Sequence, residues 1–193
     1  MAQAVIVDSV RTGLAKSFRG GFNQTRADDM TAHIIDALMD RNPEIDPALV
    51  EDLILGCGYP EGPQGNNIAR VAAVASKLSI NTGGTTVNRY CSSGLQTIAM
   101  AATQIQSGFA DCIIAGGVES ISTTQGHINE YMFENEKVAK KYPVFITPWG
   151  RLLKQLQNDT VSLESLKMNT HYQAKYDVQM HKNKDSLMTK LCR

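Results

Sequence analysis

The stretch TTVNRYCSSGLQTIAMAATQIQSGFADCIIAGG, residues 85–117, decides the fold. Thr85-Thr86-Val87 is a short β-branched run and reads as a strand. Leu95, Ile98, Ala99, Ala102 and Ile105 then recur at the period of an amphipathic helix, which Gly108 stops. Cys112-Ile113-Ile114-Ala115 is a second apolar run, closed by Gly116-Gly117, and reads as another strand.

The same alternation extends toward the amino terminus. Leu53-Ile54-Leu55 runs into Gly56-Cys57-Gly58 as a strand entering a glycine turn, and Ile68, Val71, Ala72 and Ala75 mark one face of a helix. Ala4 to Val7 is a short apolar run ended by Asp8 and predicts a buried strand. A loop through Gly13, Gly20 and Gly21 follows it. Thr25 stands three residues before Asp28, the spacing of a capping box, and Met30, Ile34, Ile35 and Leu38 carry a helix toward Pro43. Four strands alternating with three helices predict an α/β fold, a mostly parallel sheet with helices on its faces, because parallel neighbours need crossovers long enough to hold a helix. Ligands in such sheets gather beyond the carboxyl ends of the strands. Cys91 occupies one of those strand-to-helix loops.

At 193 residues, 42% hydrophobic and 20% charged, the chain suffices for one domain or one domain with an appendage. Nineteen basic side chains balance nineteen acidic ones, so no global field points to nucleic acid or an anionic membrane. Residues 1–125 carry 8 Lys and Arg against 12 Asp and Glu, whereas residues 126–193 carry 11 against 7. Fourteen of the 15 glycines lie at or before Gly126. The expected division is therefore an α/β domain over 1–125 and a basic tail over 126–193, with helices near 151–157 and 162–176. No apolar run approaches the roughly 18–20 residues that span a bilayer, and the opening segment has no basic leader. Cys57, Cys91, Cys112 and Cys192 form neither a CxxC pair nor a close scaffold, which suits four free thiols in a reducing compartment; a cytoplasmic location is expected. No metal site is expected.

In Asn88-Arg89-Tyr90-Cys91-Ser92-Ser93-Gly94 the chain passes from a strand directly into a helix start. Unpaired amides and the helix dipole favour an anion there, which makes the Cys91 sulfur a usable nucleophile at neutral pH and offers donors to an oxyanion. Small neighbours, Ser92, Ser93 and Gly94, leave room above the sulfur for a carbonyl. Cys57 and Cys112 read as core residues, since both flank or lie in apolar strands. Cys192 carries no signal.

The string NRYCSSGLQTIAMAA resembles the active-site signature of thiolases. Three further segments fall in that family's order. VDSVRTGLAKSFRGG is similar to its opening motif, with Gly13 where proline is usual. LGCGYPEGPQGNNIAR resembles the segment before the second helix in the degradative 3-ketoacyl-CoA thiolases, and AGGVESIS at 115–122 resembles a glycine-rich strand end. The resemblance implies a thiolase-like fold, of which only the first half is present, and an acyltransferase of fatty acid metabolism. Cys91 would attack the C3 carbonyl of a 3-ketoacyl-CoA, release acetyl-CoA and hold the remaining acyl group until free coenzyme A resolves it. Coenzyme A and acyl-CoA enter as substrates, no metal or redox cofactor is implied, and the family forms dimers or tetramers.

The same resemblance implies what else is needed. Thiolases supply a base and a second acid from later segments: a His in an Asn-Glu-Ala-Phe segment, a His in a Gly-His-Pro segment, and a second Cys in a glycine-rich loop. His33, His127, His171 and His181 match none of these. The expectation is that the chain stops before the sheet's fifth strand, leaves the 112–115 strand with an open edge, and is inactive alone. Tyr142 to Gly150 faintly resembles the family's loop domain, whose basic surface would face the phosphates of coenzyme A, with no individual Lys or Arg assignable. Two other readings differ in kind. A non-catalytic truncated product could associate with a thiolase subunit, and a ketoacyl synthase would share the fold, though Asn-Arg-Tyr before Cys91 and EGPQGNNIAR argue against it.

Overall fold

Strand character follows apolar runs and helix character follows period, so the computed structural model carries the predicted alternation through residue 124. It describes residues 3–124 and the backbone of 188–192. Strand β1 spans Val5–Val10, helix α1 Ala27–Arg41, strand β2 Asp52–Gly56, helix α2 Ile68–Ala75, strand β3 Gly83–Val87, helix α3 Ser93–Ser107, strand β4 Cys112–Gly117 and the single turn α4 Ile121–Thr124. The last strand, β5, is Met188–Cys192. The chain divides into two compact units, Met1–His127 with Asn183–Arg193, and Ile128–Lys182; every described residue belongs to the first. The helices expected near 151–157 and 162–176 lie outside the described residues, as do His127, His171 and His181.

The five strands form one sheet in the order β1-β5-β4-β2-β3. β2 runs parallel to both β3 and β4, while β5 is antiparallel to β4 on one side and β1 on the other. Two expectations are corrected here. The β4 edge is not open, because Met188–Cys192 pairs along it from Cys112 to Ala115. β1 is not buried either: among the described strands it pairs with β5 alone, at the sheet's edge, and Val5, Ile6 and Val7 are 44%, 61% and 46% exposed. An apolar run specifies a strand, but strand order decides which strand sits at the rim.

Because successive residues of a strand point to opposite faces, β2 and β4 feed two cores at once. Leu53, Leu55 and Ile114 pack with Ile34, Ile35 and Leu38 of α1 and Ala69, Ala72 and Ala73 of α2. Ile54, Ile113 and Ala115 pack on the other face with Ala101 and Ile105 of α3. Helices thus cover both faces of a mixed sheet, and each fully buried Leu or Ile contributes about 1.5–3 kcal/mol through its removal from water.

Helix ends follow local chemistry. Asn67 caps α2 by accepting the Arg70 N–H, and α3 stops at Gly108, whose φ of 77° is the left-handed conformation a glycine adopts without penalty. The capping box at Thr25 and Asp28 does not form. α1 begins one residue later, and Asp28 instead takes a bidentate pair from Arg26, at 3.0 and 2.6 Å. Among the described residues no helix is long and apolar enough to cross a membrane.

Candidate active site

Beyond the carboxyl end of β3 the chain turns sharply. Residues Tyr90–Ser92 make a 3-10 turn that leads straight into α3, and Cys91, in the middle of it, is exposed. Cys57 and Cys112 are buried. Burial pushes the Cys57 thiol up to about 12, with the Glu119 carboxylate adding to the push, so Cys57 stays a neutral, enclosed thiol. Of the three described cysteine side chains, only Cys91 is open to a ligand in solution.

The turn is held by its own side chains. Ser93, buried at the head of α3, accepts the Arg89 N–H at 2.9 Å and donates its hydroxyl to the Tyr90 carbonyl at 2.5 Å. Asn88 accepts the Tyr90 N–H at 2.9 Å. Tyr90 has φ of 48°, a left-handed conformation that costs a non-glycine residue about 1–3 kcal/mol and persists only where the surroundings impose it. The amides of Ser92 and Ser93 bond back to the Arg89 and Tyr90 carbonyls, so two of the donors expected to be unpaired at the helix start are spent inside the turn.

Small residues set the turn's height above the sheet. A Cβ on Gly56 would stand 2.4 Å from the Ser93 carbonyl carbon and 2.5 Å from the Gly94 nitrogen, so only glycine at the end of β2 lets α3 start where it does. Thr97 anchors the first turn from the other side, its hydroxyl shared between the Gly116 carbonyl at 2.8 Å and the Gly94 carbonyl at 2.7 Å. The close approach is thus made by the Ser93 and Gly94 backbone and the Ser93 Cβ to the end of β2, and it is Gly56 whose lack of a side chain permits it.

Three of the four segments singled out in the sequence come together around this turn, and the fourth bonds to one of them. Glu119, just past β4, accepts the Gly58 N–H at 2.7 Å and the Gln64 side-chain amide at 2.7 Å. Gln64 is fully buried, donates also to the Tyr59 carbonyl at 2.8 Å, and accepts the Ser120 N–H. Asn88 reaches the Gly58 carbonyl at 3.0 Å. Tyr59 and Tyr90 stack edge to face with centroids 6.3 Å apart. The opening segment joins through the Phe18 N–H, which donates to the Ser122 hydroxyl at 2.8 Å.

Asn88, Gln64 and Glu119 were not among the expected site residues. Each lies inside one of the quoted segments, so the signal was present as position without role. His33, the described histidine, is on the exposed side of α1 and is not joined to the cysteine turn. Among the described residues no cluster of His, Cys, Asp and Glu could hold a metal ion.

Comparison with known proteins adds the lineage. Over 128 residues the chain is 43% identical to a 3-ketoacyl-CoA thiolase of Shewanella denitrificans, covering 66% of this chain and 32% of that protein. A β-ketoadipyl-CoA thiolase of Acinetobacter baylyi is 46% identical over 122 residues, 63% of this chain and 30% of its own length. A 3-ketoacyl-CoA thiolase of Aliivibrio salmonicida is 42% identical over 128 residues, again 66% and 32%. The chain therefore spans about a third of the length of the relatives it matches. A family model described as the thiolase N-terminal domain matches residues 4–182, and on that match, over a sheet and a cysteine turn built from the same segments, the chain belongs to the thiolase N-terminal domain family.

Proposed function

We propose that this chain carries the acyl-accepting cysteine of a thiolytic acyltransferase, with Cys91 as the nucleophile toward a 3-ketoacyl-CoA. One observation supports this most: the Gly58–Gln64 segment and Glu119 are bonded together behind the turn that leaves Cys91 exposed, while Cys57 is enclosed and neutral. The names of the matched relatives share a β-keto acyl group on coenzyme A, which supports that substrate class without deciding the acyl chain.

In the proposed reaction the Cys91 sulfur adds to the C3 carbonyl and the C2–C3 bond breaks. The electron pair left on C2 takes up a proton, releasing acetyl-CoA and leaving the shortened acyl group as a Cys91 thioester. The thiol of free coenzyme A then adds to that thioester, the Cys91 sulfur leaves, and the shortened acyl-CoA departs. Splitting one carbon–carbon cleavage into two acyl transfers is the gain from covalent catalysis. Each transfer needs a proton donor or acceptor beside the sulfur. We assign those groups to segments outside residues 3–124.

A graft tests the reading. Residues 4–124 of this chain, joined to the later two thirds of a 3-ketoacyl-CoA thiolase, are expected to support thiolysis that Cys91→Ala abolishes. A folded graft whose activity survives Cys91→Ala overturns the assignment.

A further inference from the structure

We propose that Asn88 is a positioning residue for Cys91, with Glu119 holding it in place through Gly58. The inference rests on Cys91 being the nucleophile.

The argument begins at Tyr90. Its left-handed backbone sets the direction in which the chain enters the Cys91 turn, and such a conformation must be imposed from outside. Asn88 imposes it with both ends of one carboxamide: the oxygen accepts the Tyr90 N–H at 2.9 Å and the nitrogen donates to the Gly58 carbonyl at 3.0 Å. A side chain must accept at one end and donate at the other to do this. Aspartate loses the donor, and alanine loses both.

Gly58 is in turn held from behind. Its N–H donates to Glu119 at 2.7 Å, and the second Glu119 oxygen accepts from Gln64 at 2.7 Å. Gln64 cannot reverse its amide, because its oxygen accepts the Ser120 N–H and its nitrogen also donates to the Tyr59 carbonyl, and it is fully buried, out of reach of relieving water. Glu119 must therefore offer two acceptors. Glutamine there would set its NH2 group against either the Gln64 donor or the Gly58 N–H, leaving a buried donor unpaired at a cost of about 1–3 kcal/mol. A Cβ at Gly58 would stand 2.7 Å from the same Glu119 oxygen, so the brace also requires glycine at that point. The line from Glu119 through Gly58 and Asn88 to Tyr90 ends one residue from the sulfur.

The test follows alkylation of Cys91 by iodoacetamide across pH, residue by residue in digests, with Cys57 as the internal record of an intact fold. Asn88→Ala is expected to slow Cys91 about tenfold, the kinetic equivalent of about 1.4 kcal/mol, and to move its pH–rate profile, while Cys57 stays protected. Asn88→Ser keeps a short acceptor for the Tyr90 N–H and is expected to recover part of the rate. Glu119→Gln is expected to act in the same direction, and carries the prediction should Asn88→Ala not fold. A Cys91 rate and pH profile unchanged in folded Asn88→Ala or Glu119→Gln overturns the positioning role, as does a loss that appears only together with Cys57 labelling. A wild-type Cys91 no faster than free cysteine is a different result: it overturns the nucleophile itself, and this inference with it.

Discussion

The closest approach between sheet and helix beneath the cysteine turn offers the most direct structural test. In Gly56→Ala the new methyl group would stand 2.4 Å from the Ser93 carbonyl carbon, 2.5 Å from the Gly94 nitrogen and 2.7 Å from the Ser93 Cβ. Ordinary carbon contacts lie near 3.5–4.0 Å, so the first turn of α3 must retreat by about 1 Å. It cannot do so freely, because Thr97 is bonded to the Gly116 carbonyl and Ala101 and Ile105 are locked in the core below. Overpacking of this kind costs about 1–3 kcal/mol. The retreat also shifts the Tyr90–Ser92 turn that leads into α3 and carries Cys91, and misplacing a reacting group by about 1 Å can cost on the order of a hundredfold in rate. Gly94→Ala is the control: its Cβ would lie 4.0 Å from Gly117, an ordinary contact, and alanine is the better helix former by about 1 kcal/mol. Urea denaturation of both variants, with Cys91 alkylation measured alongside, decides the matter. Equal stability of the two alanine variants, with Cys91 alkylation unchanged in Gly56→Ala, would refute the reasoning.

Three further outcomes are expected. Burial raises the Asp52 carboxyl above its usual range, against the Thr85 hydroxyl bond, and its Oδ1 is buried with no hydrogen-bond partner among the described residues. With the folded value raised, the stability Asp52 contributes is fully present below the unfolded value of about 3.9 and is lost as pH rises through the folded value. Asp52→Asn should therefore be the more stable protein at neutral pH in a urea titration; a lower midpoint there contradicts the assignment. Ending the chain at Leu187 removes β5, the strand that pairs with β1 and covers the β4 edge, and should give self-association visible as rising mass in light scattering; an unchanged monomer fraction would show that β5 protects nothing. Residues 1–193 alone should show no thiolysis of a 3-ketoacyl-CoA, and turnover that disappears in Cys91→Ala would mean that this chain supplies its own acid and base.

The parts of the fold written in short-range pattern were legible. Leu53 to Leu55 and Cys112 to Ala115 read as strands because apolar runs that length bury in a parallel sheet, and Gly108 read as the end of α3 because glycine alone takes that turn at no cost. Placement was not legible. Val5 to Val7 are as apolar as a buried strand, and only the strand order leaves them exposed. Met188–Cys192 gave no alternation to read, yet it pairs with β1 more than 170 residues earlier in the chain. The turn that carries Cys91 was legible because strand, turn and helix start are contiguous around it. The Glu119 to Gly58 bond joins residues 61 apart in the chain, and nothing local to either announces the other. Thr25 failed as a cap for a related reason: Asp28 had a stronger partner in Arg26 than the helix start could offer.

Competitive labelling of the native protein with a limiting amount of iodoacetamide, quantified at each cysteine, tests the central claim most directly. Cys91 should be modified well before Cys57 and Cys112, as an exposed thiol in a braced turn against two enclosed ones. Uniform modification of the three, or Cys57 reacting first, would contradict it.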